Sequence, residues 1–188
     1  MNITYTQVKT VNELHQILAL QAANLSKNIS EEEAKSQGFV TVQHDFELLD
    51  AMNKPFAHII AKDGEKVVGY ALVMLRSFAD KIPVLFSMFD MINKAVFNEK
   101  SVNDSTYFTM GQICIDKNYR GQGLVENLYK TMQKHYANDF QYLITEITAR
   151  NTRSTKAHSK VGFEELKVFT DETSGEVWQL VIWDWNKV

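Results

Sequence analysis

Cysteine is nearly absent from this chain. Cys114 stands alone among 188 residues, which excludes an intrachain disulfide framework and a multi-cysteine zinc site. Proline occurs twice and glycine eight times, and neither gathers into a linker. With no repeat and no low-complexity tract, residues 1–188 read as a single domain, long enough for one sizeable core and short for two. Charge of one sign is missing as well. A net charge of -3 gives no bulk electrostatic reason to bind nucleic acid or an anionic membrane, although basic residues gather between Arg150 and Lys160. The longest apolar run, residues 67–75, stops at Arg76, far short of a membrane span. The first ten residues are too polar for the apolar region of a signal peptide. A cytoplasmic protein with no membrane partner and no metal is the expectation.

What remains is the composition of a soluble globular domain, 45% hydrophobic and 23% charged. Ile3, Tyr5 and Val8 mark a first strand, and Leu14, Ile17, Leu18, Gln21 and Leu25 recur at helical spacing. Ser30 before Glu31-Glu32-Glu33 has the form of a helix start, with a capping hydroxyl and acids at the positive dipole end. Residues 45–52 predict another short helix, stopped before Pro55. Asp63-Gly64 is a hairpin turn between strands at 57–62 and 66–78. Leu85, Met88, Phe89, Ile92 and Val96 fall on one face of a helix expected over 82–97. The last third alternates: strand 107–115, helix 124–136, strand 141–147, helix 152–160, then a hairpin of 166–169 and 177–185. Gly162 followed by Phe163 predicts a glycine-terminated helix end. The class is therefore mixed α/β.

The segment richest in chemistry is residues 113–125, ICIDKNYRGQGLV. A strand enters a short loop with two glycines and a helix starts at once. Glycines let backbone approach an anion, and the first helical turn offers unpaired N–H groups at a favourable dipole end. Arg120 adds a positive side chain. A Walker A loop would need Lys and Ser/Thr after Gly123, where Leu124 and Val125 stand, and a dinucleotide fingerprint would need a third glycine near Glu126. A tight turn without ligand is the plain alternative.

Tyr119-Arg120-Gly121-Gln122-Gly123-Leu124 resembles the acyl-CoA signature of the GNAT acetyltransferases, Gln/Arg-x-x-Gly-x-Gly/Ala. A second block, from Asn151 through Ser154, Ala157, His158 and Lys160 to Gly162-Phe163, is similar to the family's Asn-x-x-Ala/Ser helix ending in Gly-Phe. With the Asp63-Gly64 hairpin and Gly69, the resemblance runs from about Ala57 onward. It implies a GNAT-like acyl-CoA N-acyltransferase fold: a mixed, mostly antiparallel sheet with a splayed parallel strand pair, flanked by helices. It also implies acetyl-CoA as cosubstrate and direct transfer to an amine. Backbone groups of Ile113, Cys114 and Ile115 would then pair with the pantetheine arm like an added strand, and one N–H there would stabilise the reaction's oxyanion. N–H groups of Gly121, Gln122, Gly123, Leu124, Val125 and Glu126 would hold the diphosphate. Asn151 would reach the pantetheine amide, and Arg153 would contact the 3′-phosphate end.

The sequence departs from the family pattern at two positions. Val125 replaces the signature's final Gly/Ala, and His158 stands where many relatives carry a tyrosine. A neutral imidazole can donate one N–H to the departing sulfur, so His158 is the candidate acid; a packed or capping histidine is the alternative. Glu146 is the candidate base for the ammonium proton, against a solvated or structural carboxylate. Gln112 and Tyr107 are further candidates for the acceptor site. Cys114 has no His or Asp beside it by spacing and reads as strand filler, not a nucleophile. Phe86 and Phe89 either wall the acceptor site or pack as core. The acceptor would be a small-molecule or peptide amine, and the tryptophans near the C-terminus leave a homodimer open. Two other classes compete: a non-catalytic acyl-CoA-binding module, and an interaction domain that has lost its ligand.

Overall fold

The computed structural model describes residues 2–30, 32, 39–172 and 174–186. The helix start expected at Ser30-Glu31-Glu32-Glu33 therefore falls largely outside the described residues. In chain order the strands are β1 (Ile3–Gln7), β2 (Ile59–Asp63), β3 (Lys66–Met74), β4 (Val96–Phe97), β5 (Lys100–Ser101), β6 (Tyr107–Ile115), β7 (Tyr142–Thr148), β8 (Glu164–Thr170) and β9 (Val177–Asp184). The helices are α1 (Val11–Asn24), α2 (Phe46–Asn53), α3 (Phe86–Asn93), α4 (Leu124–Tyr136) and α5 (Thr152–Val161). Seven strands form one sheet in the order β1-β2-β3-β6-β7-β9-β8, and β4-β5 is a separate hairpin. Within the sheet β6 and β7 are parallel, whereas β1-β2, β2-β3, β7-β9 and β8-β9 are antiparallel. This is the mixed, mostly antiparallel sheet expected. The parallel pairing covers Tyr107–Tyr142, Phe108–Leu143 and Thr109–Ile144, while β6 runs on to Ile115 and β7 to Thr148.

The chain packs as two compact units, residues 1–73 with 110–135 and residues 74–109 with 136–188. In the first, α1 begins with a capping box: Thr10 Oγ1 accepts from Glu13 N, and the Glu13 carboxylate accepts from Thr10 N. Leu14, Ile17 and Gln21 form its buried stripe. Lys62 Nζ on β2 reaches Glu13 at 3.0 Å and ties the helix start to the sheet. Asp45 caps α2 at Leu48 N, and Leu49 and Met52 bury its inner face. β3 is buried almost throughout. At Gly69 an added Cβ would lie 2.7 Å from Ile115 Cδ1 and 3.4 Å from Cys114 O, so this glycine exists for close approach.

In the second unit two expectations shift. β3 ends at Met74, and Arg76–Lys81 and Pro83–Leu85 turn as short 3-10 helices. The helix expected over 82–97 is α-helical only at Phe86–Asn93, because beyond it Val96 and Phe97 pair with Ser101 and Lys100 around Asn98 and Glu99 at φ 49 and 65. That tight turn uses a non-glycine pair in the left-handed region, which local composition does not announce. Met88, Phe89 and Ile92 are buried as expected, but Phe86 and Val96 are 51% and 64% exposed. Phe108 centres an aromatic cluster with Phe140 at 4.9 Å and Trp185 at 5.6 Å. The α5 end takes the predicted form: Gly162 has φ +118 and Phe163 N donates back to His158 O at 3.1 Å. Among the described residues no helix is long and apolar enough to cross a membrane.

Candidate functional site

The loop between β6 and α4 lies in the first unit. Asp116 opens it, accepting from Asn118 N and pairing with Lys66 Nζ at 2.8 Å. Gly121 and Gly123 follow at φ +79 and +78, a conformation that side chains rarely adopt. A Cβ built on Gly121 meets nothing within 4 Å, and one on Gly123 meets only Asn127 Nδ2 at 3.9 Å. The two glycines are thus required by backbone conformation, and the space beside them is open to a ligand. Leu124 and Val125 begin α4 directly, so its first-turn N–H groups sit where the loop opens. Leu124 is buried, Val125 and Glu126 are half-buried, and Gln122 is exposed. Glu126 pairs with Lys130 at 2.7 Å, which offsets its charge in the first turn of α4.

Arg120 reaches back to the protein from this loop. Its Nη2 donates to Asn24 Oδ1 at 2.5 Å and its Nε to Ile115 O at 3.2 Å. The guanidinium therefore braces the loop against α1 and the end of β6. Cys114 is buried, and burial pushes its thiol up to about 12, which leaves it inert as a nucleophile at neutral pH.

Beside Cys114 on the same face of β6 lies a polar network that spacing alone did not reveal. Gln112 Nε2 donates to Val42 O at 2.8 Å, which fixes its amide orientation. Gln112 Oε1 then accepts from Tyr70 Oη at 2.5 Å and from Gln21 Nε2 at 3.0 Å. Gln21 Oε1 accepts from His44 N at 2.8 Å, and Gln21 Nε2 donates its other proton to His44 Nδ1 at 2.8 Å. Each assignment forces the next, so His44 carries its proton on Nε2. That buried Nε2–H has no partner. Such an orphan costs about 1–3 kcal/mol. Burial holds the ring's pKa down to about 4, and the neighbouring Asp45 charge recovers only part of the shift.

The second unit carries the remaining candidates. Glu146, opposite Leu180 in the β7-β9 ladder, has its Oε2 buried with no partner. Burial, with the charge of Asp171 behind it, pushes its carboxyl up to about 8. Asn151 caps α5, its Oδ1 accepting from Ser154 N at 3.1 Å. Arg153 is exposed on the first turn of that helix. His158 is 2% exposed, its Nδ1–H donates to Ser154 O at 2.8 Å, and its ring meets Phe163 edge-on at 5.0 Å. Burial depresses its pKa to about 4. Tyr107 has its phenol oxygen buried without a partner. Among the described residues no group of three or more His, Cys, Asp or Glu could hold a metal.

With the loop, the helix start and the sheet described, the chain was compared with known proteins by sequence and by fold. Residues 20–163 match the model of the Acetyltransferase (GNAT) family, and the chain belongs to that family. No curated protein matches the sequence. Solved structures do match in fold. The ribosomal-protein-S18-alanine N-acetyltransferase from Escherichia coli is 12% identical with a TM-score of 0.62, the match covering 97% of this chain and 94% of that one. A chain of the NatC complex bound to Gag peptide and CoA is 13% identical with a TM-score of 0.66, covering 98% and 99%. YncA from Salmonella typhimurium, solved with its cofactor acetyl-CoA, is 10% identical with a TM-score of 0.63, covering 99% and 95%.

Proposed function

We propose that this protein is an N-acetyltransferase that moves an acetyl group from acetyl-CoA directly to a primary amine of a small molecule or peptide. The observation that carries the reading is the loop at Gly121 and Gly123, left-handed at both glycines, open above them, and leading straight into the first turn of α4. Residues that bind a diphosphate need this combination of small backbone and unsatisfied N–H groups. In this reading Gly121 to Glu126 hold the diphosphate through backbone N–H groups. Ile113, Cys114 and Ile115 offer the pantetheine arm a strand edge past the last β6-β7 pair at Thr109 and Ile144. Arg120 acts by bracing the loop.

Bound acetyl-CoA supplies the acyl group and a thiol leaving group whose pKa should be near an ordinary thiol's, about 8.5. Glu146 takes the proton from the attacking ammonium, directly or through water, because its buried and unpaired Oε2 is held near the working pH. His158 spends its Nδ1–H on Ser154 O, and we give it the packing role at the end of α5, not proton donation to sulfur.

Thermal unfolding with and without acetyl-CoA tests the reading. Ligand at about a hundred times its dissociation constant adds about 2.7 kcal/mol, a rise on the order of 5–10 °C for a chain of this length. Gly123→Glu, which forces a side chain into the left-handed region and sets a carboxylate beside the diphosphate, should abolish that rise. No rise for the wild type at millimolar acetyl-CoA would sink the transferase reading. A rise with no thiol release across a panel of amines would make the protein an acyl-CoA-binding module.

A further inference from the structure

Every other polar atom in the Tyr70–Gln112–Gln21–His44 chain has its partner, yet the last donor is left open. His58 shows what a satisfied version looks like in the same unit. Val73 N donates to His58 Nδ1 at 3.0 Å, and the opposite nitrogen donates to Leu49 O at 3.1 Å. His44 has the same tautomer, is 4% exposed, and has nothing at Nε2. Buried donors in native proteins are almost always paired, so an orphan at the end of an otherwise complete network points to an absent oxygen atom.

The network also fixes what that oxygen can be. Gln21 occupies Nδ1 as donor, so the ring is neutral and cannot offer a charge to an anion. Asp45, next in the chain and electrostatically coupled to the ring, would repel a second carboxylate. A neutral carbonyl oxygen suits the donor better. Gln112 sits two residues before Cys114, on the same face of the strand to which we give the pantetheine arm, and this places the network next to that arm in the acetyl-transfer reading.

We propose that the Nε2–H of His44 donates a hydrogen bond to a carbonyl oxygen of the acceptor, making α-amino amides, as at a peptide N-terminus, the preferred amine class. This inference rests on the acetyl-transfer reading. Gln21, Gln112 and Tyr70 act as positioning residues that hold the imidazole and its tautomer. A water on the same donor is the competing occupant, and substitution of His44 would then leave the preference among amines unchanged.

Two probes separate the cases: alaninamide, and its hydrocarbon isostere in which methyl groups replace the carbonyl oxygen and amide nitrogen. With each kcat/KM expressed per unprotonated amine, since alaninamide is the weaker base by about two pKa units, the wild type should favour alaninamide by roughly tenfold or more, because an unpaired buried donor rejects the analogue lacking its acceptor. His44→Phe should narrow that preference about tenfold, chiefly through KM for alaninamide, and His44→Gln, which keeps an amide N–H at a similar reach, should restore part of it. Melting temperatures of both variants are recorded beside the rates. The inference is overturned if the wild type shows no preference, if it accepts neither probe, or if His44→Phe slows both probes equally. Binding of acetyl-CoA to the wild type, read by its melting shift, separates the two failures. Loss of that shift fails the transferase reading and this inference together, whereas a retained shift without amide preference fails this inference alone.

Discussion

A carboxyl group held near pH 8 is ionised only about one time in ten at neutrality. For Glu146 the cause is burial first and the charge of Asp171 second. The rate through such a base should rise with pH and level off above about 8. Glu146→Gln should lower kcat by roughly a hundredfold or more and remove that rising limb. Measuring kcat from pH 6 to 9.5 for both proteins decides it. A limb that persists unchanged in the variant assigns the titration to another group and returns Glu146 to a structural role. Glu146 is a candidate base from the sequence, but its altered acidity is not legible there, because the Asp171 charge that adds to burial lies 25 positions away. The His44 network was less legible still. Gln21 and His44 are 23 positions apart and Gln21 and Gln112 are 91 apart, so no local pattern joins them.

Elements closed by local rules were read more fully. The β6-loop-α4 passage and the α5 end depend on residues within a few positions of each other, and both appear where the spacing put them. The region after β3 was read less well. Its helical face was correct for Met88, Phe89 and Ile92, but Pro83 and the turn at Asn98 and Glu99 cut the helix at both ends. Gly162 allows a stringent test of the α5 end. Alanine there must hold φ near +118, and its Cβ would come 3.1 Å from Trp183 Nε1. Gly162→Ala should cost about 1–3 kcal/mol, a fall on the order of 2–12 °C in melting temperature. An unchanged melting temperature would show that the helix end relaxes without strain.

At the scale of the whole molecule, buried titrating groups oppose one another and set where the protein is most stable. His44, His58 and His158 are neutral and buried, with pKa values pushed by burial to about 4, 3 and 4. Unfolded histidine takes up its proton near 6.5, so these three contribute stability above that pH and lose it as pH falls toward their folded values. Glu146 runs the other way. Its folded pKa of about 8 lies above the unfolded carboxyl value, so its contribution is complete at low pH and is lost as pH rises toward 8. From pH 8 down to 6.5 the gain from the glutamate only slightly exceeds the first part of the histidines' loss, and stability should rise a little, by about 0.5 kcal/mol. Below 6.5 the three histidines outweigh it, for a net loss of about 2 kcal/mol between pH 6.5 and 5.5. Glu13 and Asp116 extend the loss at lower pH. Burial works against their charge, but backbone N–H groups and lysine partners outweigh it and hold both below the usual carboxylate range. Both units lose stability through the acid limb, since His44 and His58 belong to one and His158 to the other. Urea midpoints at pH 8, 6.5 and 5.5 should therefore peak at the middle value. In Glu146→Gln the decline between 6.5 and 8 should turn into a rise of about 1 kcal/mol from the histidines, while the acid limb stays. A midpoint that is flat from 6.5 to 5.5 would mean that the three imidazoles gain protons in the folded protein at ordinary pH, and would remove the neutral His44 donor on which the acceptor preference depends.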